Sequence, residues 1–481
     1  MMMKSIVIGS AKHLAFALFY SSVGTSIALI AAAVWYLNSR PELDLWHTTE
    51  LKAQYRQQPS IASFNDYLRL EDKLFAEVED KVTAKTKSES LLVLNRYVAG
   101  SYSDPQKWSQ NWNRSFEWKN EQADYGILLL HGMSDSPYAM QHFAKHYKES
   151  AHVIGLRLPG HGTLPSGLVD VTWQDMAAAV SIATAHLKRV MQDKPLYVVG
   201  FSTGAALALN HELEQIAVGE SGDFSGLVFL SPAIGLPPVA VGAKWQSRLG
   251  HLLGLDKLSW NSIQTEYDPF KYSSFAVNAG DVVYQLASRN VELFKQLDSQ
   301  ARERLAPVLT FQSLTDDTVD SMAVINDLYL QLPNKQHELV MFDINRTQVN
   351  LSLIAADPLT PYTQLVKSTQ LAFDFTIIEN TGEARGAVQA RNLTSESVSE
   401  AVIEQWPKQT YSLSHVALPF PESDELYGPH RKQIHNRIQI GAGASKGERG
   451  VLSVPSSEML RQKWNPFFNY MIEKMDQRII E

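Results

Sequence analysis

The 481-residue chain contains no cysteine. That excludes disulfides, thiolate zinc sites and a cysteine nucleophile, and it leaves the redox compartment open. Positive charge is also in deficit: 43 Lys and Arg stand against 51 Asp and Glu, a formal net charge of −8. A nucleic-acid backbone is therefore excluded as a partner. No repeat or long low-complexity tract is present, so neither a solenoid nor a flexible multidomain array is indicated. What remains, 44% hydrophobic and 20% charged residues, is the composition of a folded protein. The length allows one large domain or two ordinary ones.

Charge is missing altogether from Leu14 to Leu37. A helix rising about 1.5 Å per residue over this stretch would cover the ~30 Å hydrocarbon core of a bilayer. Lys4 and Lys12 precede it, whereas Glu42 and Asp44 follow Arg40 closely. The positive-inside rule then puts the tail (1–13) in the cytoplasm and the bulk of the chain outside. The expectation is a single-pass protein of the inner (cytoplasmic) membrane, its larger part on the periplasmic or extracytoplasmic side. A cleaved signal peptide is the competing reading, because Ala31, Ala32 and Ala33 resemble a small-residue cleavage site. Val34-Trp-Tyr-Leu37 continue the apolar run where a cleaved peptide would turn polar, and Trp35 and Tyr36 suit the membrane interface. A retained anchor over residues 14–37 is the reading adopted.

Residues 38–120 form a juxtamembrane extension. Within it Phe64, Tyr67, Leu68, Leu74, Phe75, Val78 and Val82 recur at helical spacing among charged residues, which predicts an amphipathic helix packed on the main body. From about Tyr125 the pattern changes to short apolar runs bounded by Gly and Pro: 126–130, 153–156, 196–199, 227–230 and 308–311. These read as buried strands. Helical stretches at 173–191 and 203–216 lie between them, so the fold class is α/β, with a mostly parallel central sheet flanked by helices. The aromatic-rich segment from about 235 to 301 interrupts the alternation and reads as a helical cap, an apolar roof for a pocket.

Gly200-Phe-Ser-Thr-Gly204 follows one strand run and precedes an alanine-rich helix. This is G-x-S-x-G in a strand-turn-helix setting, whose tight turn needs the glycines and leaves Ser202 exposed as a nucleophile. Acyl transfer also needs backbone donors aimed at the developing oxyanion. The Thr203 amide is one candidate. The Met133 amide is the other, since His131-Gly-Met133 stands directly behind the run ending at Leu130. His131 precedes the serine in chain order and reads as a loop-ordering residue, not a base.

Three segments, His131-Gly-Met-Ser-Asp-Ser-Pro137, Leu158-Pro-Gly-His-Gly-Thr163 and Gly200-Phe-Ser-Thr-Gly204, occur in the order and near the spacing of a known group. With them the chain resembles the monoacylglycerol lipase, bacterial carboxylesterase and serine aminopeptidase-like branch of the α/β-hydrolase superfamily, well over about 125–345 and loosely elsewhere. The resemblance implies an α/β-hydrolase fold over 121–481, Ser202 as nucleophile and an oxyanion role for the Met133 and Thr203 amides. It places the acidic triad member after the strand at 307–311. There Asp316 matches by its spacing to Val319, with Ser313 where a glycine is expected; Asp317 and Asp320 are the other candidates.

The histidine departs from the family pattern, which places it soon after the next strand, here 338–342. None occurs between His337 and His415. Since the fold delivers Ser, Asp and His in that order, the candidates are His415, His430 and His435. His415 follows the strand-like 409–413 and is preferred. Residues from about 347 to 410 then form an insertion, with a further strand at 371–378. Two weaker patterns are set aside. His211-Glu212 begins a zinc-protease motif, but Gln215 occupies the second histidine position. Gly441-Ala-Gly443 is followed by Lys446 where a phosphate loop would need its third glycine.

The expected activity is serine ester hydrolysis through an acyl-serine, with Asp316 orienting His415, no metal and no cofactor. A small-molecule or lipid ester, an acyl lipid or lysophospholipid, is the expected substrate. A peptidase is the alternative, with Asp256, Glu266 or Asp268 to hold a substrate amine. A non-catalytic envelope-binding protein that keeps the fold is another.

Overall fold

The computed structural model describes residues 2–57, 60–86, 93–235, 255–333, 336–347, 357–382, 386–394, 399–408, 410, 412–429, 436–441 and 461–480. It begins with one long helix, α1 (Met2–Ser39). Within it Phe16–Leu37 is long and apolar enough to cross a membrane, with a mean hydropathy of 1.8 and none of its length buried.

The body is a ten-stranded sheet in the order β1-β3-β2-β4-β5-β8-β9-β10-β11-β12. Its strands are β1 (Phe116–Trp118), β2 (Tyr125–Leu130), β3 (Ala151–Leu156), β4 (Leu196–Phe201), β5 (Gly226–Leu230), β8 (Val308–Ser313), β9 (Glu338–Phe342), β10 (Asp374–Asn380), β11 (Ala387–Asn392) and β12 (Ser399–Gln405). A separate two-stranded ribbon pairs β6 (Trp260–Ser262) with β7 (Phe275–Ala276). From β3 to β10 neighbouring strands are parallel, while β1, β11 and β12 join antiparallel at the edges.

The apolar runs are continuous because both faces of the sheet are covered. Along β4, Leu196 and Val198 face one core while Val199 and Phe201 face the other. The first core is closed by α2 (Phe64–Lys81), α4 (Trp173–Met191), α5 (Thr203–Ala217), α6 (Val277–Gln296) and α7 (Thr360–Ser368). The second is closed by α3 (Gln141–Tyr147) and the C-terminal α8 (Phe468–Ile479). Helix starts follow local chemistry. Ser63 and Thr172 cap α2 and α4, and Asp66 and Asp175 reach back to complete each capping box.

The segment that follows α1 is built into the body. Helix α2 buries Phe64, Tyr67 and Leu74 together with Glu71, whose carboxylate takes the Arg157 Nε–H at 2.8 Å and the Ser115 hydroxyl at 2.7 Å. The Tyr67 hydroxyl donates to the Arg157 carbonyl at 2.7 Å.

Two expectations change. The stretch 409–413 is not a strand at its described residues, 410, 412 and 413; Gln409 and Tyr411 lie outside the described residues. Thr410 N closes a turn onto Pro407 O, and side chains hold the segment in place of a ladder: Asn345 Nδ2 donates to Thr410 O and Ser313 Oγ to Leu413 O. The insertion is also more ordered than a loop with one strand. Among its described residues are α7 and three strands, and β10 runs parallel beside β9, so the sheet itself is extended. In the segment read as a cap, residues 236–254 lie outside the described residues. Helix α6 packs on α5, with Asn290 Nδ2 donating to Ala206 O at 2.8 Å.

Candidate active site

Strand β4 ends in Phe201, and the next residue is forced into a rare conformation. Ser202 has φ 52° and ψ −113°, a strained region for a residue with a side chain, at about 1–3 kcal/mol. Backbone bonds hold it there: Ser202 N donates to Leu230 O at 2.9 Å, and Ser202 O accepts from Ala233 N at 3.1 Å and Ala206 N at 3.2 Å. The flanking glycines are required sterically. A Cβ on Gly200 would stand 2.5 Å from Ala205 Cα, and one on Gly204 would stand 2.3 Å from Leu130 O. The serine thus sits at the head of α5, above the carboxyl ends of the strands, where open α/β sheets build their sites.

Asp316 lies in the turn after β8. Its Oδ1 accepts from Thr318 N (2.9 Å) and Val319 N (3.1 Å), and its Oδ2 accepts from Gln312 Nε2 (2.9 Å) and lies 2.7 Å from His415 Nδ1. Burial pushes the Asp316 carboxyl up, but His415 and the two backbone N–H groups outweigh it, and the group is held below its ordinary value. Asp317 is exposed beside Arg461. Asp320 caps a short helix at Met322 N and Ala323 N. Of the three acidic candidates only Asp316 meets the histidine.

His415 is buried, with its ring 5.2 Å from that of Phe201, the residue before the serine. Ser313 occupies the position where the resemblance led us to expect glycine, and its hydroxyl grips Leu413 O, two residues before the histidine. Ser414 Oγ donates to Gln462 O on the other side. His430 and His435 lie outside the described residues.

Met133, Ser202, Thr203 and His415 line one cavity of about 340 Å³. Charged side chains also reach its wall. Lys271 lines it and pairs with Asp135 at 2.7 Å, and Lys463 and Arg461 contribute from the segment before α8. No linear motif marks these residues, because they come together only through the loops. Asp268 also lines the cavity; its carboxylate accepts from Tyr427 OH (2.5 Å), Phe270 N (2.9 Å) and Lys271 N (3.1 Å). Glu266 is buried against Ser273 N and Ser274 N, and Asp256 is exposed.

His131 bridges two loops. Its Nδ1–H donates to Gly132 O at 2.8 Å and its Nε2 accepts from Leu158 N at 3.1 Å. Burial, then neighbouring His161, holds it well below the ordinary imidazole value, so it is neutral. His211 is likewise occupied, with Nε2 2.9 Å from Asp223.

Residues 127–382, more than half of the chain, match the model of the alpha/beta hydrolase family. The chain belongs to that family. Over 123 residues this alpha/beta hydrolase is 30% identical to a thermostable monoacylglycerol lipase from Bacillus sp. (strain H-257), an alignment covering 25% of the chain and 46% of that protein. The chain therefore spans about half the length of this relative. Among solved structures, one of the metagenome-derived lipolytic enzymes LipS and LipT is 18% identical, with a TM-score of 0.38 and coverage of 48% of this chain and 88% of that one. A soluble variant of monoglyceride lipase from Saccharomyces cerevisiae is 16% identical, with a TM-score of 0.35 and coverage of 47% and 81%.

Proposed function

We propose that the protein is a membrane-anchored serine hydrolase that cleaves carboxylic esters, with Ser202 as nucleophile, His415 as base and Asp316 as the residue that orients it. The observation that carries this reading is the convergence of a strained serine and a carboxylate-held histidine on one cavity. Asp316 accepts a hydrogen bond from the His415 Nδ1–H, which leaves His415 Nε2 unprotonated to take the Ser202 proton as Oγ attacks the ester carbonyl carbon. The amides of Met133 and Thr203 donate to the oxyanion. As the tetrahedral species collapses the C–O bond breaks, and the imidazolium protonates the leaving alcohol. Water, deprotonated by His415, then attacks the acyl-serine, releasing the acid and restoring Ser202.

The apolar span at Phe16–Leu37 supports an anchor, and the charge asymmetry around it supports a domain on the extracytoplasmic side. A substrate with an acyl chain, such as an acylglycerol or lysophospholipid, fits both that setting and the lipase relative. A peptidase would need a carboxylate to receive the substrate amine. Of Asp256, Glu266 and Asp268, only Asp268 lines the cavity, and three protein donors already engage it. The ester reading is therefore preferred.

The test is labelling of the detergent-solubilised chain with a fluorophosphonate. Wild type should label, and Ser202→Ala and His415→Ala should not. A folded wild-type protein that stays unlabelled would remove the hydrolase reading in favour of a binding protein that keeps the fold.

A further inference from the structure

The ribbon β6–β7 separates two things that the sequence gives no reason to associate. On one side is the catalytic cavity, lined by Ser262, Ser273 and Phe275. On the other is the strap Arg40–His47, through which the chain leaves the apolar helix. Arg40 donates through Nη1 to Lys257 O at 2.8 Å and through Nη2 to Asn261 O at 3.1 Å. Lys257 Nζ returns to the Glu42 carboxylate at 2.6 Å. His47 completes the attachment. Its Nδ1 accepts from Asp44 N at 2.9 Å, so Nε2 carries the proton and donates to Ser274 Oγ at 2.9 Å, while Trp260 stands edge-on to the ring at 4.9 Å.

The division is made residue by residue along the chain that enters β7. Ser273 and Phe275 line the cavity, and Ser274 between them holds His47. On the facing strand the pairing is irregular between Trp260 and Ser262, the device by which a strand re-aims its side chains. Trp260 consequently meets the strap and Ser262 the cavity. The strap is a fixed part of the fold, since Trp46 and His47 are buried, Trp46 stacks on Tyr97 at 5.4 Å, and burial pushes His47 down to about 4, which keeps the contact neutral near pH 7.

Arg40 joins both ends of this arrangement, because its guanidinium also lies 5.6 Å from the ring of Tyr36, inside the apolar span. Arg40 stands three positions beyond Leu37, a reach of at most about 10 Å. We propose that the strap and ribbon hold the catalytic cavity against the bilayer surface, and that the substrate is an acyl ester resident in that bilayer. This rests on the ester-hydrolase reading above and adds the place from which the substrate comes.

The test uses the full chain reconstituted in phosphatidylcholine vesicles and two esters, water-soluble p-nitrophenyl acetate and oleoylglycerol carried in the same vesicles. A Gly/Ser spacer of about 20 residues between Ser39 and Arg40 keeps every strap–ribbon contact but allows the domain about 25 Å of root-mean-square separation from the helix. Turnover of the soluble ester should match wild type, and turnover of the vesicle ester should fall about tenfold as the effective concentration drops. Equal vesicle turnover with and without the spacer would overturn the proposal and leave the hydrolase reading intact. Wild type inactive on both esters would overturn the hydrolase reading and this proposal with it. If the spacer depresses both esters alike, Arg40→Ala decides: a loss confined to the vesicle ester supports the proposal, and no selective loss overturns it.

Discussion

His415 Nδ1 lies 2.7 Å from Asp316 Oδ2 across 99 positions of sequence. The carboxylate is saturated around this contact, taking Thr318 N and Val319 N on one oxygen and Gln312 Nε2 beside His415 on the other. In Asp316→Asn one of these atoms becomes a donor, and whichever way the amide turns it faces N–H groups or forces the histidine into the wrong tautomer. Turnover of a soluble ester should fall by about 10⁴-fold, measured as kcat with the fold checked by circular dichroism. A loss below tenfold would remove Asp316 from the catalytic unit.

Gly204 offers a separate test of the serine turn. An alanine Cβ would meet Leu130 O at 2.3 Å and His131 O at 2.7 Å, both backbone atoms at the start of the loop that carries Met133. Neither can rotate aside, so Gly204→Ala has to shift Ser202 relative to that loop. Displacement on the scale of an ångström costs about 10²-fold in rate, and kcat on the soluble ester should fall by that order while fluorophosphonate labelling slows. Unchanged kcat would show that the two loops do not act together.

The Glu71–Arg157 pair attaches α2 to the sheet body at 2.8 Å, with both side chains at most 2% exposed. Arg157 also donates to His161 O at 3.0 Å, in the loop that His131 bridges. Glu71→Ala leaves a buried guanidinium without its counter-charge and should destabilise the protein by about 3–5 kcal/mol. A urea titration would read it as a lower midpoint. The double change Glu71→Leu with Arg157→Met removes both charges and should recover part of the loss; if it were worse than Glu71→Ala, the pair would matter for more than charge compensation.

The parts legible in the sequence were those with strong local signatures. β2, β3, β4, β5 and β8 are continuous apolar runs because both faces are buried, and the spacing of Phe64, Tyr67 and Leu74 announced α2. β11 and β12 have no such signature because they extend the sheet toward an edge that meets water. Ile403 on β12 is 89% exposed, so no clean apolar alternation survives there. The region before His415 misled for the opposite reason: 409–413 has strand-forming residues, yet Pro407 begins a turn and Asn345 and Ser313 fix the chain by side-chain bonds. Lys271, Arg461 and Lys463 could not be placed at the cavity from sequence, since nothing in their neighbourhoods distinguishes them from solvated charges.

Glu212 shows what a buried carboxylate away from the site does to stability. It sits on α5 with no exposure; Oε1 accepts from Asp223 N at 2.9 Å, and Oε2 has no hydrogen-bond partner among the described residues. Burial pushes it up from 4.5 to about 7. The folded chain therefore binds this proton more tightly than the unfolded chain, and stability falls wherever the unfolded state is the more deprotonated. The contribution is fully present below about 4.5, declines as pH rises, and is lost by about 7. At about 1.4 kcal/mol per unit the decline is at most about 3.5 kcal/mol. Glu212→Gln keeps the Oε1 acceptor and removes the ionisation. Denaturant titrations at pH 5 and pH 8 should show the wild type losing stability between the two relative to the variant. A constant difference between wild type and variant across that range would mean that Glu212 does not change protonation on folding.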